Sequence, residues 1–298
     1  MKSPVTGKEN CTILETFDSQ VVTKLYKSKV GIEVGRFFTN QKEFYIYQCN
    51  DSGFRFYAPT SLAGDGLFYE DLQNTFGDNY YRPWKWEYSK ALSVISKNDK
   101  ILEIGCGTGR FIEKLKDKGF STIGLELNEK AVSVGKEKGL VVHNELIEEF
   151  AKKNANSFDV VCSFQVLEHV TDVKSYLENS ILCLKKGGKL IIGVPNNNPY
   201  LYRYDKYHAL NLPPHHAGLW DVETFEKLNQ FFDVEKASIN IEPLFDIRYQ
   251  LMVYFEYKNM NFISKIIKKI PNFIFGVLKT LFSNFFTGRN ILAVYTKK

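Results

Sequence analysis

Residues 102–111 read Leu102-Glu103-Ile104-Gly105-Cys106-Gly107-Thr108-Gly109-Arg110-Phe111, an apolar run that breaks into three alternate glycines before an amphipathic stretch begins. Glycine accepts positive φ and carries no side chain, so the pattern specifies a tight strand-to-helix turn across which a ligand can lie. A dinucleotide-binding turn needs its third glycine at 110, where Arg110 stands, so the G-x-G-x-G spacing lacks the pyrophosphate anchor. Outward from this turn, short apolar runs at 100–104, 122–126, 141–143, 159–163, 189–194, 232–241 and 291–296 alternate with amphipathic stretches at 110–118, 129–138, 146–152 and 173–184. That alternation predicts repeated β-α units around a buried parallel sheet. Lys185-Lys186-Gly187-Gly188 supplies a helix stop, cations near the negative end of the dipole followed by flexible glycines.

The ends of successive strands converge on one ligand. Glu126, at the end of the second strand, can accept both hydroxyls of a ribose. After the third strand, Glu145 offers an acid for an adenine amino group and Leu146 an apolar side chain for its face. After the fourth, the segment running through Phe164, Gln165, Glu168 and His169 lies where a reacting group would be delivered.

With ILEIGCGTGRF, GLEL, FDVV…VLEHV and LKKGGKLIIGVPN in that order, the chain resembles the class I S-adenosylmethionine-dependent methyltransferases across about residues 80–240. The resemblance implies an α/β, Rossmann-like three-layer sandwich with a seven-stranded, mostly parallel sheet in the order 3-2-1-4-5-7-6, the last strand antiparallel. It implies S-adenosyl-L-methionine as cofactor. Glu103 and the turn of Gly105, Cys106, Gly107, Thr108 and Gly109 would hold the methionine moiety, Glu126 the ribose, Glu145 and Leu146 the adenine, and Phe164 with Gln165 the far wall, with Leu127 also among the cofactor-binding residues. Tyr81, in the aromatic segment 80–88, would cover the methionyl end.

Methyl transfer from a sulfonium needs alignment of a nucleophile and removal of its proton. His169, His215 and His216 fall at the expected C-terminal edge of the sheet and are the candidate bases, whereas His143 ends a strand and His208 decorates a loop. The loop 195–220, dense in Tyr, Asn, His and Trp, reads as the acceptor site. Its VPN…PPHH…W pattern resembles bacterial methyltransferases of polysaccharide and antibiotic-sugar clusters, which makes a sugar or glycoconjugate hydroxyl the first acceptor, reached as a small molecule or glycan. A phenolic quinone precursor is the enzymatic alternative, and a nucleoside-binding protein without chemistry the non-enzymatic one. Gln165, Glu168 and His169 would share a helical face, resembling the E-x-x-E-H arrangement of ubiquinone-pathway and plant small-RNA methyltransferases. Gln165 replaces the first acid, so a metal-free base is favoured over a divalent cation and no metal ligand is assigned.

The two ends read differently from the middle. Residues 21–34 and 43–57, rich in Val, Tyr, Phe and Ile and broken at Asn50-Asp51-Ser52-Gly53, predict a β-rich appendage over 1–79, followed by the methyltransferase domain over 80–298. Cys11 and Cys49 stand where related enzymes carry C-x-x-C pairs of a zinc ribbon, each pair lacking its second cysteine, so a metal-free remnant is expected. An insertion at 243–288 is amphipathic. Of the net charge of +5, eight cations and no acid lie in 257–298, leaving the remainder at −3, which disfavours a uniformly basic nucleic-acid binder, and no nucleic-acid partner is expected. Peripheral membrane contact through 259–286 competes there with a packed lid or dimer face. Five scattered cysteines and a polar N-terminus without a secretory signal lead to the expectation of a cytoplasmic protein, resting at most on the inner membrane face.

Overall fold

Alternate residues of each central strand go to opposite faces, and the sequence supplies two apolar sets to match. In this computed structural model, which describes residues 1–77, 84–197, 206–243, 247–272, 274–276 and 288–298, a small antiparallel sheet precedes a large mixed one. The small sheet contains β1 (Cys11–Asp18), β2 (Glu43–Cys49) and β3 (Arg55–Ala58), and β1 is followed by helix α1 (Ser19–Leu25). Helices α2 (Gly66–Phe76) and α3 (Trp86–Leu92) lead to β4 (Lys100–Ile104), α4 (Arg110–Asp117), β5 (Ser121–Leu125), α5 (Glu129–Glu137), β6 (Val142–His143), α6 (Ile147–Lys153) and β7 (Phe158–Phe164). Then come α7 (Val173–Cys183), β8 (Leu184–Pro195), β9 (Gly218–Leu219), α8 (Val222–Lys227), β10 (Val234–Ile241), α9 (Ile247–Tyr257), α10 (Asn261–Lys269) and β11 (Asn290–Lys297).

The large sheet runs β10-β11-β8-β7-β4-β5-β6, with β11 antiparallel to both neighbours and β4, β5, β6, β7 and β8 parallel. Numbered by appearance within this sheet and read from β6, the order is the expected 3-2-1-4-5-7-6. Leu102, Ile104 and Val161 face a core built with Phe150 of α6, Leu177 of α7 and Phe225 of α8. Ile101, Val160, Cys162 and Phe164 face the opposite side, against Tyr88 of α3 and Phe111 and Leu115 of α4. Glu103 lies on that second side by its parity.

Two local expectations are corrected. Residues 21–34 do not form a strand. Asp18 Oδ1 accepts the amides of Gln20 and Val21 to start α1, a π-helical turn over Tyr26–Val30 follows, and Gly31 ends it at φ +81°. The cap and the i, i+4, i+8 burial of Val22, Tyr26 and Val30 outweigh the β propensity of Val and Tyr. The Lys185–Gly188 stretch is not a terminus beyond α7 but the start of β8. Gly187, at φ +76°, sits in a register shift where Phe158 faces Leu184 and Val160 already faces Lys189. Cys11 and Cys49 face each other across β1 and β2.

The small sheet has the order β1-β2-β3-β9, so its fourth strand is lent by the long loop after β8. Arg55 of β3 reaches into that loop, its Nη2 donating to Asp221 Oδ2 at 2.9 Å and to the Asn197 carbonyl at 3.2 Å, with both charged groups buried. Asp221 also caps α8 by accepting from the Thr224 amide and hydroxyl. Because removal of one partner strands the other charge out of water, Asp221→Ala is expected to destabilise the protein by about 3–5 kcal/mol, read as a lowered denaturation midpoint in urea. A loss below about 1 kcal/mol would show that the ion pair holds little together.

Candidate active site

The glycine turn is shaped by what surrounds it. Gly105 (φ +72°) and Gly109 (φ +80°) occupy left-handed backbone, and an added Cβ would stand 2.3 Å from Val166 Cγ2 at the first and 2.3 Å from Leu140 Cδ1 at the second. The amides of Gly105 and Cys106 both donate to the Leu125 carbonyl, at 2.8 and 3.0 Å, and so lock the turn to the end of β5. The Cys106 side chain turns away into a core with Ile112, Val132 and Leu140. Thr108 remains partly exposed at the rim.

Beside the turn stands Glu126. Its Oε2 accepts the Gly107 amide at 2.8 Å and its Oε1 the Asn128 amide at 2.8 Å, so the carboxylate is held at the mouth of the bend. Asn144 Nδ2 donates to the carbonyls of Glu126 and Leu127, both at 2.9 Å, and staples the ends of β5 and β6 together. Leu127 and Leu146 are 59% and 52% exposed on either side of that staple, two apolar surfaces available to a base. Glu145 faces Lys153 at 3.4 Å. These groups could hold an adenosine, since Asn144 sets the ends of β5 and β6 side by side.

Glu103 is fully buried behind the turn, and its Oε2 has no hydrogen-bond partner among the described residues. Burial above all pushes its carboxyl up to about 8, the Lys85 cation pulls it back and the Glu126 charge adds to the rise. The folded chain therefore holds a proton that the unfolded chain releases above its ordinary value of 4.5. Stability is expected to fall as pH rises from there towards about 8 and then to level off. Glu168, pushed up to about 8 by its own burial, contributes in the same direction. Glu103→Gln should flatten part of this slope and gain on the order of a few kcal/mol at alkaline pH, checked by urea midpoints on the acid and alkaline sides of the window. An unchanged slope would mean that Glu103 is already ionised in the native protein.

Phe164 serves as core, its ring 5.1 Å edge-on from both Tyr88 and Phe111. Gln165 departs from the helical face expected for it. It takes φ +60°, and only Leu167–His169 winds into a short 3-10 turn. Gln165 Nε2 donates to Glu87 Oε1 at 2.8 Å and to Asn290 Oδ1 at 3.3 Å, and Asn290 Nδ2 donates to Glu242 Oε2 at 2.8 Å. This polar chain runs along the ends of β7, β11 and β10. Tyr81 lies outside the described residues, as do 198–205 of the acceptor loop.

The three candidate bases meet. The ring of His169 is 4.7 Å from that of His215 and 5.0 Å from that of His216, and the latter two stack at 4.7 Å. One ring nitrogen from each lies within 4.8 Å of the others. His169 Nδ1 contacts the His215 carbonyl at 2.6 Å, His215 Nδ1 the Leu210 carbonyl at 2.7 Å and His216 Nδ1 the Asn211 Oδ1 at 2.9 Å. Each of those oxygens only accepts, so Nδ1 carries the proton in all three rings and Nε2 keeps its lone pair. Burial lowers His169 to about 4 and His215 to about 3, with the His169 charge opposing protonation of His215, and burial likewise holds His216 well below its ordinary value. All three are neutral at neutral pH. Three neutral imidazoles with ring nitrogens this close suit proton abstraction and equally suit a divalent cation, and Glu168 Oε1 lies 3.8 Å from His169 Nε2.

The sequence gives no sign of what places this loop. Tyr26 donates to the Leu212 carbonyl at 2.8 Å, Tyr57 to that of Asn211 at 3.0 Å and Tyr69 to that of His215 at 3.3 Å, so the N-terminal region clamps the histidine-bearing turn. The Ala217 amide donates to the Glu168 carbonyl at 2.8 Å and joins the loop to the end of β7. Lys85 and Glu87, also not singled out from sequence, enter from the start of α3; a lone acid within an aromatic segment was the available signal for the second.

Comparison with known proteins agrees with this geometry. A family model described as a methyltransferase domain matches residues 76–238. The chain is similar to the ubiquinone biosynthesis O-methyltransferase of Pelagibacter ubique, 29% identical over 150 residues that make up 48% of this chain and 61% of that protein. It is similar to the protein of the same name from Acinetobacter baylyi, 26% identical over 161 residues, 50% of this chain and 67% of that one. The chain thus spans 61% of the length of the first of these relatives. Among solved structures, an S-adenosylmethionine-dependent methyltransferase from Archaeoglobus fulgidus superposes with a TM-score of 0.53 at 16% identity, covering 78% of this chain and all of that one, a likeness of fold.

Proposed function

Because the chain belongs to the methyltransferase-domain family, the class I S-adenosylmethionine-dependent enzymes, we propose that it transfers the methyl group of that cofactor to a hydroxyl oxygen of an organic acceptor, with His169 as base. The three-histidine cluster at the end of β7 carries this reading. A histidine Nε2 would take the proton of the acceptor hydroxyl, and the cofactor, when bound, would supply the methyl carbon to that oxygen and leave as neutral S-adenosylhomocysteine. Glu126 binds the ribose, Leu127, Glu145 and Leu146 flank the adenine, and Glu103 with the glycine turn receives the methionine moiety.

Burial makes these histidines weak bases, which suits an acidic hydroxyl such as a phenol better than an aliphatic one. The similarity to ubiquinone biosynthesis O-methyltransferases points the same way. A sugar or glycoconjugate hydroxyl is therefore the second acceptor class rather than the first. In a second reading the same three nitrogens hold a divalent cation, which would lower the pKa of the acceptor hydroxyl when bound. An acceptor screen with labelled methyl donor against phenols, nucleotide sugars and glycolipids tests the proposal. With amine and carbon-nucleophile acceptors added to the panel, label appearing only on nitrogen or carbon would overturn it.

A further inference from the structure

Between β10 and β11 the chain leaves the sheet for the helical pair α9 and α10, whose small core of Ile247, Ile267 and Phe275 is, among the described residues, drawn from this insertion. Ser264 and Ile267 of α10 turn inward. The helical spacing therefore places Phe262 and Ile266 on the other side, four residues apart, and both are exposed, Phe262 by 74%. Tyr257, Met260 and Ile274 are exposed in the same stretch. Lys258, Lys265, Lys268 and Lys269 stand exposed among them, with Lys268 3.6 Å from Glu256. A folded protein gains nothing by holding a phenylalanine this far into water, so the face is shaped for a partner.

We propose that this face docks the protein on an anionic lipid bilayer, with α10 in the headgroup plane, Phe262 and Ile266 among the acyl chains and the lysines against lipid phosphates. Charge selects this occupant. The stretch 257–269 presents Lys258, Lys265, Lys268 and Lys269, exposed, with Glu256 beside Lys268, and the chain before residue 257 is net negative. A second copy would set like charges against each other in a two-fold contact. A nucleic acid would satisfy the lysines but leave Ile266 and Met260 in water. The nine residues of α10 span about 13 Å, and no helix among the described residues is long and apolar enough to cross a membrane. Both ends of the insertion are fixed beside Gln165 at the end of β7, because Glu242 accepts from Asn290 and Asn290 accepts from Gln165. Docking therefore holds the acceptor edge close to the bilayer. The docking stands whether or not the acceptor assignment above is right, since it is read by binding alone.

The test is flotation of the full chain with vesicles of phosphatidylglycerol and phosphatidylcholine, and with phosphatidylcholine alone. Binding to the anionic vesicles is expected, weakening as salt is raised, with little binding to the neutral ones. Phe262→Ser with Ile266→Ser should lower partitioning by at least about 10-fold. Lys265→Ser, Lys268→Ser and Lys269→Ser should each cost about 5-fold. Turnover of a soluble acceptor should be unchanged in all of them. No flotation of the folded wild-type chain would overturn the proposal. So would equal partitioning of the variants, or a dimer by light scattering that Phe262→Ser dissolves.

Discussion

Glu126→Ala is expected to weaken S-adenosylhomocysteine binding by about 100-fold or more. The carboxylate is the acidic group that the strand ends bring to the mouth of the glycine turn, with its two oxygens fixed by the amides of Gly107 and Asn128 at 2.8 Å each. A preorganised carboxylate accepting two ribose hydroxyls makes charge-assisted hydrogen bonds, and their loss together with two freed amides corresponds to about 3 kcal/mol. Glu126→Gln keeps the shape and one acceptor oxygen, so it should cost about 10-fold. Calorimetry measures both, and thermal melts of the free variants separate lost ligand contacts from a loosened turn. An alanine variant that binds within about 3-fold of the wild type would remove Glu126 from the cofactor site.

His169→Ala should lower kcat by about 10²–10⁴-fold while leaving S-adenosylhomocysteine affinity in place. The His169 amide donates at 2.9 Å to the carbonyl of Val166, the residue that packs on Gly105, so His169 is tied to the neighbour of the glycine turn without being part of it. The tautomer argument gives this prediction a second handle. With Nδ1 tied to the His215 carbonyl, Nε2 is the basic atom, and burial keeps the ring neutral down to about pH 4. The rate should accordingly show no histidine limb near the ordinary value of 6.5, and the acid fall should come near 4 instead. A chelator distinguishes the two roles of the cluster. Undiminished turnover supports the base, whereas loss restored by added divalent cation assigns the three histidines to a metal. Unchanged kcat in His169→Ala, with and without chelator, would exclude both.

Where the sequence misled, local signals competed with tertiary ones. In residues 21–34 the β-branched and aromatic composition argued for a strand, but the four-residue spacing of Val22, Tyr26 and Val30 and the Asp18 cap carried more weight once a core was present to receive them. At Gln165 helical spacing suggested a shared face with Glu168 and His169. The positive φ there breaks the helix and sends the amide to Glu87 and Asn290, partners 78 and 125 residues away.

The chain order by itself determined the large sheet, the glycine turn and the acids at the strand ends. Those features depend on periodicity, glycine conformational freedom and short spacings, all of which are local. Only the tertiary structure decided that His169, 46 residues before His215, would join it in one cluster. It alone decided that Tyr26, Tyr57 and Tyr69 would hold that loop, and that β9 would complete the N-terminal sheet. These contacts join segments up to 186 residues apart. A hydroxyl or imidazole offers many partners of equal chemistry, and only packing selects one among them.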